Sequence, residues 1–481
     1  MIYGIATVLP RMLSFLLVRL HTDKSVLPNP ADYGHLTIVL SYMVFFNVLL
    51  SYGMETAFFR FYNKEEKKKK VISTATTSIF WSSIIFLAIA LLFRSDLARF
   101  AKTDVVYITY AIYILVLDAL TIIPFSKLRV LQRPVKFAII KIGNVMLNLG
   151  LNFFFLVILP HLVQSNPNSF WSSFYVEGFQ VGYILIANLI ASFATLLVFL
   201  PDYFQLKWKI DYDLWKQMAR YGFPILIAGI AFGINEHLDK ILLDKWLPQN
   251  IAKAEVGAYA ACYKIGLFMV LFRTAYSLGI EPFFFSHAKS ENAPQTYAMI
   301  TKYFVIFGAM ILLFVVVFAD LLKLLLVGNS EYWVAMKVVP LIILANFFLG
   351  IYTSLSVWYK LIDKTKIGAY ISIVGAIVTL ILNFLLIPTY SYMGSAIATL
   401  AAYGTMMVIS YYLGNKHYPI PYEKQKIVGY LSVSILLSGL SFYIPILRES
   451  YLFGIAAILL FTYFIYHNEK DTLLRIMKKR Q

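Results

Sequence analysis

A chain of 481 residues that is 60% apolar, 17% aromatic and only 14% charged departs from soluble domains, which run near half apolar with about a quarter charged. Its formal charge of +17 does not mark a nucleic-acid binder, because the basic residues sit in short clusters beside apolar stretches and leave no basic, aromatic-interleaved surface. The lone cysteine, Cys262, excludes an internal disulfide and a thiolate cluster. No His, Cys and carboxylate spacing suits a transition metal, so neither metal nor other cofactor is expected.

Apolar stretches of roughly 17–25 residues recur along the whole chain, each long enough to cross ~30 Å of hydrocarbon. They must be helices, since backbone groups in lipid have no water to bond. The expected fold is an all-α integral membrane protein of about fourteen spans. The first six fall at 2–20, 35–60, 71–93, 104–126, 137–159 and 179–200. The rest fall at 221–244, 255–281, 302–327, 335–359, 367–387, 392–413, 427–446 and 450–466.

Ionisable groups inside spans are costly and are functional suspects. The first span carries Arg11 beside the helix-bending Pro10; it reads either as a phosphate anchor, which a guanidinium fork suits, or as an internal ion pair. Glu55 and Arg60 close the second span, where snorkelling to the headgroups is cheap. Asp118 on the fourth span and Lys141 on the fifth are further candidates. On the seventh, Glu236, Asp239 and Lys240 share one face; a Glu236–Lys240 pair at i,i+4 would leave Asp239 for a cation or another helix. Lys264 and Arg273 occupy the eighth span, which ends at Glu281. The candidate substrate contacts are therefore Arg11, Arg60, Lys264 and Arg273. The candidate ion-coupling or structural pairs are Glu55, Asp118, Glu236, Asp239, Lys240 and Glu281.

Loop charge sets the orientation. The even-numbered loops carry Lys64 and Lys67 to Lys70, then Lys127, Arg129, Arg133 and Lys136, then Lys207, Lys209, Lys216 and Arg220. The odd-numbered loops are poorer, the third being the exception with Arg94, Arg99 and Lys102, and 160–178 holds no Lys or Arg. The asymmetry predicts both termini in the cytoplasm. No Walker-type phosphate loop is present, and the longest outer loop, 160–178, holds one histidine, one glutamate and no Lys or Arg, which argues against a glycan polymerase or ligase.

The halves echo one another. Tyr3-Gly4 opens the first span and Tyr221-Gly222 the seventh. Asp32-Tyr33-Gly34 precedes the second and Glu255-Val256-Gly257 the eighth. The second closes on Gly53-Met54-Glu55-Thr56-Ala57-Phe58-Phe59, and the eighth on Gly279-Ile280-Glu281-Pro282-Phe283-Phe284-Phe285. Asn152-Phe153 lies ahead of Pro160, as Asn383-Phe384 does ahead of Pro388. Matches in one order at similar separations mark a repeat, and six spans per half make it parallel, with a substrate path between two rocking lobes. The expected domains are a six-helix lobe over 1–200, a cytoplasmic amphipathic linker over 201–220 and a second six-helix lobe over 221–413. Two extra helices over 427–467 and a basic cytoplasmic tail over 468–481 complete the chain. The repeat also predicts a Lys/Arg-bearing segment upstream of Met1, to match the basic stretch before Tyr221.

The six-plus-six-plus-two pattern, Gly53 to Phe61, Asp239-Lys240-Ile241-Leu242-Leu243 and the Asn-Phe/Pro endings resemble the Wzx-type polysaccharide-biosynthesis flippases. These belong to the multidrug/oligosaccharidyl-lipid/polysaccharide (MOP) exporter superfamily, and the chain is similar in fold to MurJ and MATE transporters. The resemblance implies a non-enzymatic flippase that moves a polyprenyl-phosphate-linked oligosaccharide across the inner membrane for surface polysaccharide or lipopolysaccharide synthesis. Its implied partners are that lipid-linked oligosaccharide, membrane lipids and glycan-assembly enzymes. The competing readings are a MATE-type drug/cation antiporter and a membrane enzyme of glycan polymerisation or ligation.

Overall fold

The computed structural model describes residues 2–65, 67–287, 290–362, 364 and 366–478, with the side chains of 2, 3, 5, 281, 282, 285, 286 and 471–478 outside the described set. Among the described residues thirteen helices are long and apolar enough to cross a membrane, and α1 (Ile2–His21) precedes them. These are α2 (Pro30–Lys64), α3 (Lys68–Leu92), α4 (Val105–Val130), α5 (Pro134–Ser165), α6 (Gln180–Phe204), α7 (Tyr212–Trp246) and α8 (Gln249–Ile280). There follow α9 (Ala293–Val317), α10 (Ser330–Leu361), α11 (Lys366–Tyr390), α12 (Tyr392–His417), α13 (Lys424–Tyr443) and α14 (Tyr451–Lys470). The all-α, multi-pass architecture expected from hydropathy is the one found.

Two compact units divide the chain, Met1–Ala260 and Ala261–Gln481. The boundary falls inside α8, so α7 packs with the first unit although the repeat places it at the head of the second half. Glycines explain this packing. A Cβ built on Gly34 of α2 would stand 1.9 Å from the Lys253 carbonyl oxygen, and one on Gly257 of α8 would stand 1.9 Å from that of Pro30. Backbones approach this closely only where side chains are absent. Farther along α2, Gly53 takes φ 72 against Gly222 of α7, where an added Cβ would lie 2.2 Å from the carbonyl oxygen.

Of the expected amphipathic linker over 201–220, the part from Tyr212 onward is built into α7, while its first residues finish α6 at Phe204. The Asp211 side chain caps the helix by accepting from the Leu214 amide at 2.8 Å, a standard use of aspartate. Leu214 and Met218 are buried, and the Trp215 indole donates to Ser78 Oγ of α3 at 2.7 Å. Tertiary packing thus takes the apolar face that the sequence offers to lipid.

The Asn-Phe signatures are buried joints. Asn152 of α5 bonds His21 of α1 at 2.8 Å, and just beyond it the helix widens into a π-turn over Phe154–Ile158 ahead of Pro160, whose ring disturbs the preceding turn. In the second unit Ser395 Oγ of α12 donates to Asn383 Oδ1 of α11 at 2.9 Å.

Charges fasten the last two helices to the second unit at both ends. Lys302 of α9, 3% exposed, bonds Glu423 at 2.7 Å and Glu469 of α14 at 2.9 Å; Lys426 of α13 and the Tyr430 hydroxyl also reach Glu469. Burial alone would push the Glu423 carboxyl up, but hydrogen bonds from Lys302 and Lys426 outweigh it and hold it below its usual range. At the opposite end, Arg448 grips Asp320 through two bonds of 2.6 and 2.8 Å. The Arg448 bonds hold the Asp320 carboxyl below its ordinary value.

Candidate functional site

Three apolar helices of the first unit each carry a polar stripe at helical spacing. On α4 it is Asp118 and Thr121, on α5 Lys141 and Asn144, and on α6 Asn188, Ser192 and Thr195. Residues three or four apart share a helix face, and the three faces converge on a cavity of about 370 Å³. Asn47 and Glu55 of α2, with Arg129 of α4, complete its polar wall.

Part of this wall is internally bonded. Ser192 Oγ donates to Asp118 Oδ1 at 2.7 Å, and the Asn144 amide donates to Thr195 Oγ1 at 2.9 Å. Arg129 pairs with Glu55 at 3.1 Å and lies over the Phe137 ring at 5.0 Å. The rest is not. Lys141 has no hydrogen bond or ion pair among the described residues, its Nζ standing 4.3 Å above the Phe125 ring. Asn47 and Asn188 likewise make no side-chain hydrogen bond among the described residues. Lys141 feels the charge of Asp118 across the cavity but, like the two amides, makes no hydrogen bond among the described residues. Polar groups so placed among apolar helices are costly; they are suited to an anionic, hydroxyl-rich guest.

Of the residues expected from sequence, Glu55, Asp118 and Lys141 line this cavity, and Arg11, Arg60, Lys264, Arg273, Glu236, Asp239 and Lys240 do not. Arg11 is exposed on α1, and the Arg60 guanidinium lies over the Tyr221 ring at 4.3 Å. Lys264 occupies a 3₁₀ turn over Lys264–Gly266 that breaks α8, and Arg273 follows half-buried on the same helix; both belong to the second unit. Lys240 pairs with Asp239 at 2.8 Å and reaches the Glu236 carbonyl oxygen at 3.3 Å. The acid expected to be left over is thus one the lysine holds, and it also accepts from Tyr259 at 2.7 Å. Glu236 is half-buried. The side chain of Glu281 lies outside the described residues. Sequence reasoning passed over Asn47, Asn144, Asn188, Ser192 and Thr195, because each is uncharged; the signal was the recurrence of polar residues every three or four positions in α5 and α6.

The chain matches the family described as Polysaccharide biosynthesis protein over residues 2–277 and the MatE family over 241–385. No curated protein sequence matches it. Among solved structures it is similar to the lipid II flippase MurJ in an inward closed conformation, at 15% identity and TM-score 0.72, covering 97% of this chain and 99% of that one. It is also similar to an inward-facing multidrug resistance MATE transporter, at 12% identity and TM-score 0.64 over 88% and 99%. A MOP superfamily transporter from Pyrococcus furiosus Vc1 follows at 13%, 0.56, and 89% and 96%. At these identities the structures speak for the fold, and the family match speaks for kinship: the chain belongs to the polysaccharide biosynthesis protein family and has the fold of the MurJ and MATE transporters of the MOP superfamily.

Proposed function

We propose that the protein flips a lipid-linked oligosaccharide across the bacterial inner membrane for cell-surface polysaccharide synthesis. The observation that carries this reading is the polar cavity of the first unit, where Lys141 stands beside Asp118, amides and hydroxyls with no hydrogen bond of its own among the described residues. A sugar hydroxyl moved through hydrocarbon without a partner costs several kcal/mol, and an ionised phosphate far more. A cavity that offers amide and hydroxyl partners to sugars and a lysine to phosphate removes much of that barrier, while the lipid tail stays in the bilayer. Arg11, Arg60, Lys264 and Arg273 are further anion contacts in this reading. Both termini are placed in the cytoplasm, and lobes over 1–200 and 221–413 rock to alternate access.

A second reading, a drug or cation antiporter, is favoured by the MatE match over 241–385 and by the Asp118 carboxylate. Lys141 lines the same cavity, and its charge repels a cationic cargo at short range. Complementation separates the two. Wild type restores surface glycan to a flippase-deficient strain and Lys141→Gln does not. Restored resistance to cationic drugs without restored glycan would replace the flippase reading with the antiporter.

A further inference from the structure

We infer that an apolar groove in the first unit holds the chain of an anionic isoprenoid carrier lipid, with the lipid phosphate at Lys245 and Lys102. The groove runs between α2, α3, α4 and α7 and encloses about 580 Å³. Phe46, Phe86, Ile112 and Leu242 are among its walls, and Lys245 is the one charged residue that lines it. It is separate from the polar cavity, with which it shares no lining residue.

The groove's charged end is distinctive. Lys245 Nζ, in the last turn of α7, donates to the Phe100 carbonyl and lies 4.2 Å from that ring's centroid. Lys102 Nζ answers by donating to the Asp244 carbonyl at 3.0 Å. Both lysines therefore bond backbone carbonyls, and neither has an ion pair among the described residues. The Asp244 carboxylate beside them is held by Lys253 at 3.0 Å and is 1% exposed. The mouth thus keeps an excess of positive charge next to a wall of hydrocarbon.

In a bilayer the apolar wall cannot select its occupant, because lipid tails are as apolar as the groove. Selection must come from the charged end, where a phosphate gains bonds from two ammonium groups. An apolar slot ending at Lys245, with Lys102 beside it on the Asp244 carbonyl, fits a long chain ending in phosphate better than it fits a neutral lipid. Lys102 and Lys245 lie at the helix ends away from the chain termini, which in the proposed orientation face the outer leaflet. The groove is then where the carrier rests once its headgroup has crossed. This rests on the flippase reading, which supplies the isoprenoid nature of the chain.

Photolabelling of the full-length protein in phosphatidylcholine nanodiscs tests it, with a diazirine-tagged polyprenyl phosphate as the probe. We expect label on α2, α3 or α7 residues lining the groove, displaced by untagged polyprenyl phosphate but not by polyprenol or phosphatidylglycerol. The double variant Lys102→Gln, Lys245→Gln loses labelling by about tenfold, and Lys102→Arg, Lys245→Arg keeps it. Equal displacement by phosphatidylglycerol would make the groove an ordinary lipid site and overturn the proposal, as would undiminished labelling of the glutamine variant. Glycan export by wild type is measured separately: export without groove labelling overturns the groove alone, whereas groove labelling without export overturns the flippase reading.

Discussion

Lys141 is the residue on which the proposed chemistry turns, and it illustrates what charge alone reveals in a membrane sequence. A lysine in an apolar span is conspicuous, as is Asp118. Their meeting at one cavity is not, because span positions give depth without giving the rotation of one helix against another. The neutral Asn144, Asn188, Ser192 and Thr195 complete the cavity and are visible only as a periodic stripe. Replacing Lys141 by Gln removes one charge-assisted bond to phosphate, about 2 kcal/mol or roughly thirtyfold in transport. Glycan export in the complemented strain checks this, with membrane insertion unchanged; wild-type export by Lys141→Gln would remove the lysine from the site. Arg11→Ala and Arg273→Ala are likewise expected to abolish export without loss of insertion. Arg11→Lys restores it only in part, because a point charge cannot fork onto phosphate. Export at wild-type level in both alanine variants would make those arginines structural.

At the scale of elements, hydropathy places most spans within a few residues, but the ninth, expected at 302–327, is the helix Ala293–Val317, and the seventh starts nine residues early at Tyr212. Contacts between spans depend on small residues whose partners no pattern names. Asp32-Tyr33-Gly34 and Glu255-Val256-Gly257 are legible as repeat partners; that Gly34 and Gly257 press their helices together is not. Because a Cβ on Gly34 would meet the Lys253 carbonyl oxygen at 1.9 Å, Gly34→Val must part α2 from α8. It is expected to lower the melting temperature in detergent by several degrees. An unchanged melting curve would show that the contact yields easily. Cys262, fully buried with its thiol on the Tyr332 carbonyl at 3.3 Å, should resist maleimide until the protein unfolds, which supplies a native reporter for such variants. The Arg448–Asp320 clasp gives a pH signature. The Asp320 carboxyl is held below its ordinary value by Arg448, so its contribution is fully present above the usual carboxylate value of about 3.9 and fades as pH falls through the lower folded value. Thermal stability attributable to the clasp, read as wild type minus Arg448→Gln, should be flat from neutral pH down to mild acid and fall only below. A step near neutrality would assign the dependence to another group.

For the whole molecule, composition alone settles a helical membrane protein, and the loop charges propose its orientation. A topology reporter fused after Asn168 should read outside and one after Glu66 inside; reversal at either position would invert the depth assigned to every charge. The division into packed units was not legible, because the expected repeat pairs spans by their place in the chain whereas packing follows the glycine contacts that draw α7 to α2. The most direct test of the account is transfer itself. Purified protein is placed in liposomes with a lipid-linked oligosaccharide in one leaflet, and its appearance in the other is followed with an impermeant enzyme that modifies only exposed headgroups. A flippase gives transfer by wild type well above protein-free liposomes, a loss of roughly thirtyfold in Lys141→Gln, and no uptake of a cationic drug. Background transfer by wild type, in preparations where that drug accumulates against a proton or sodium gradient, would contradict the flippase reading.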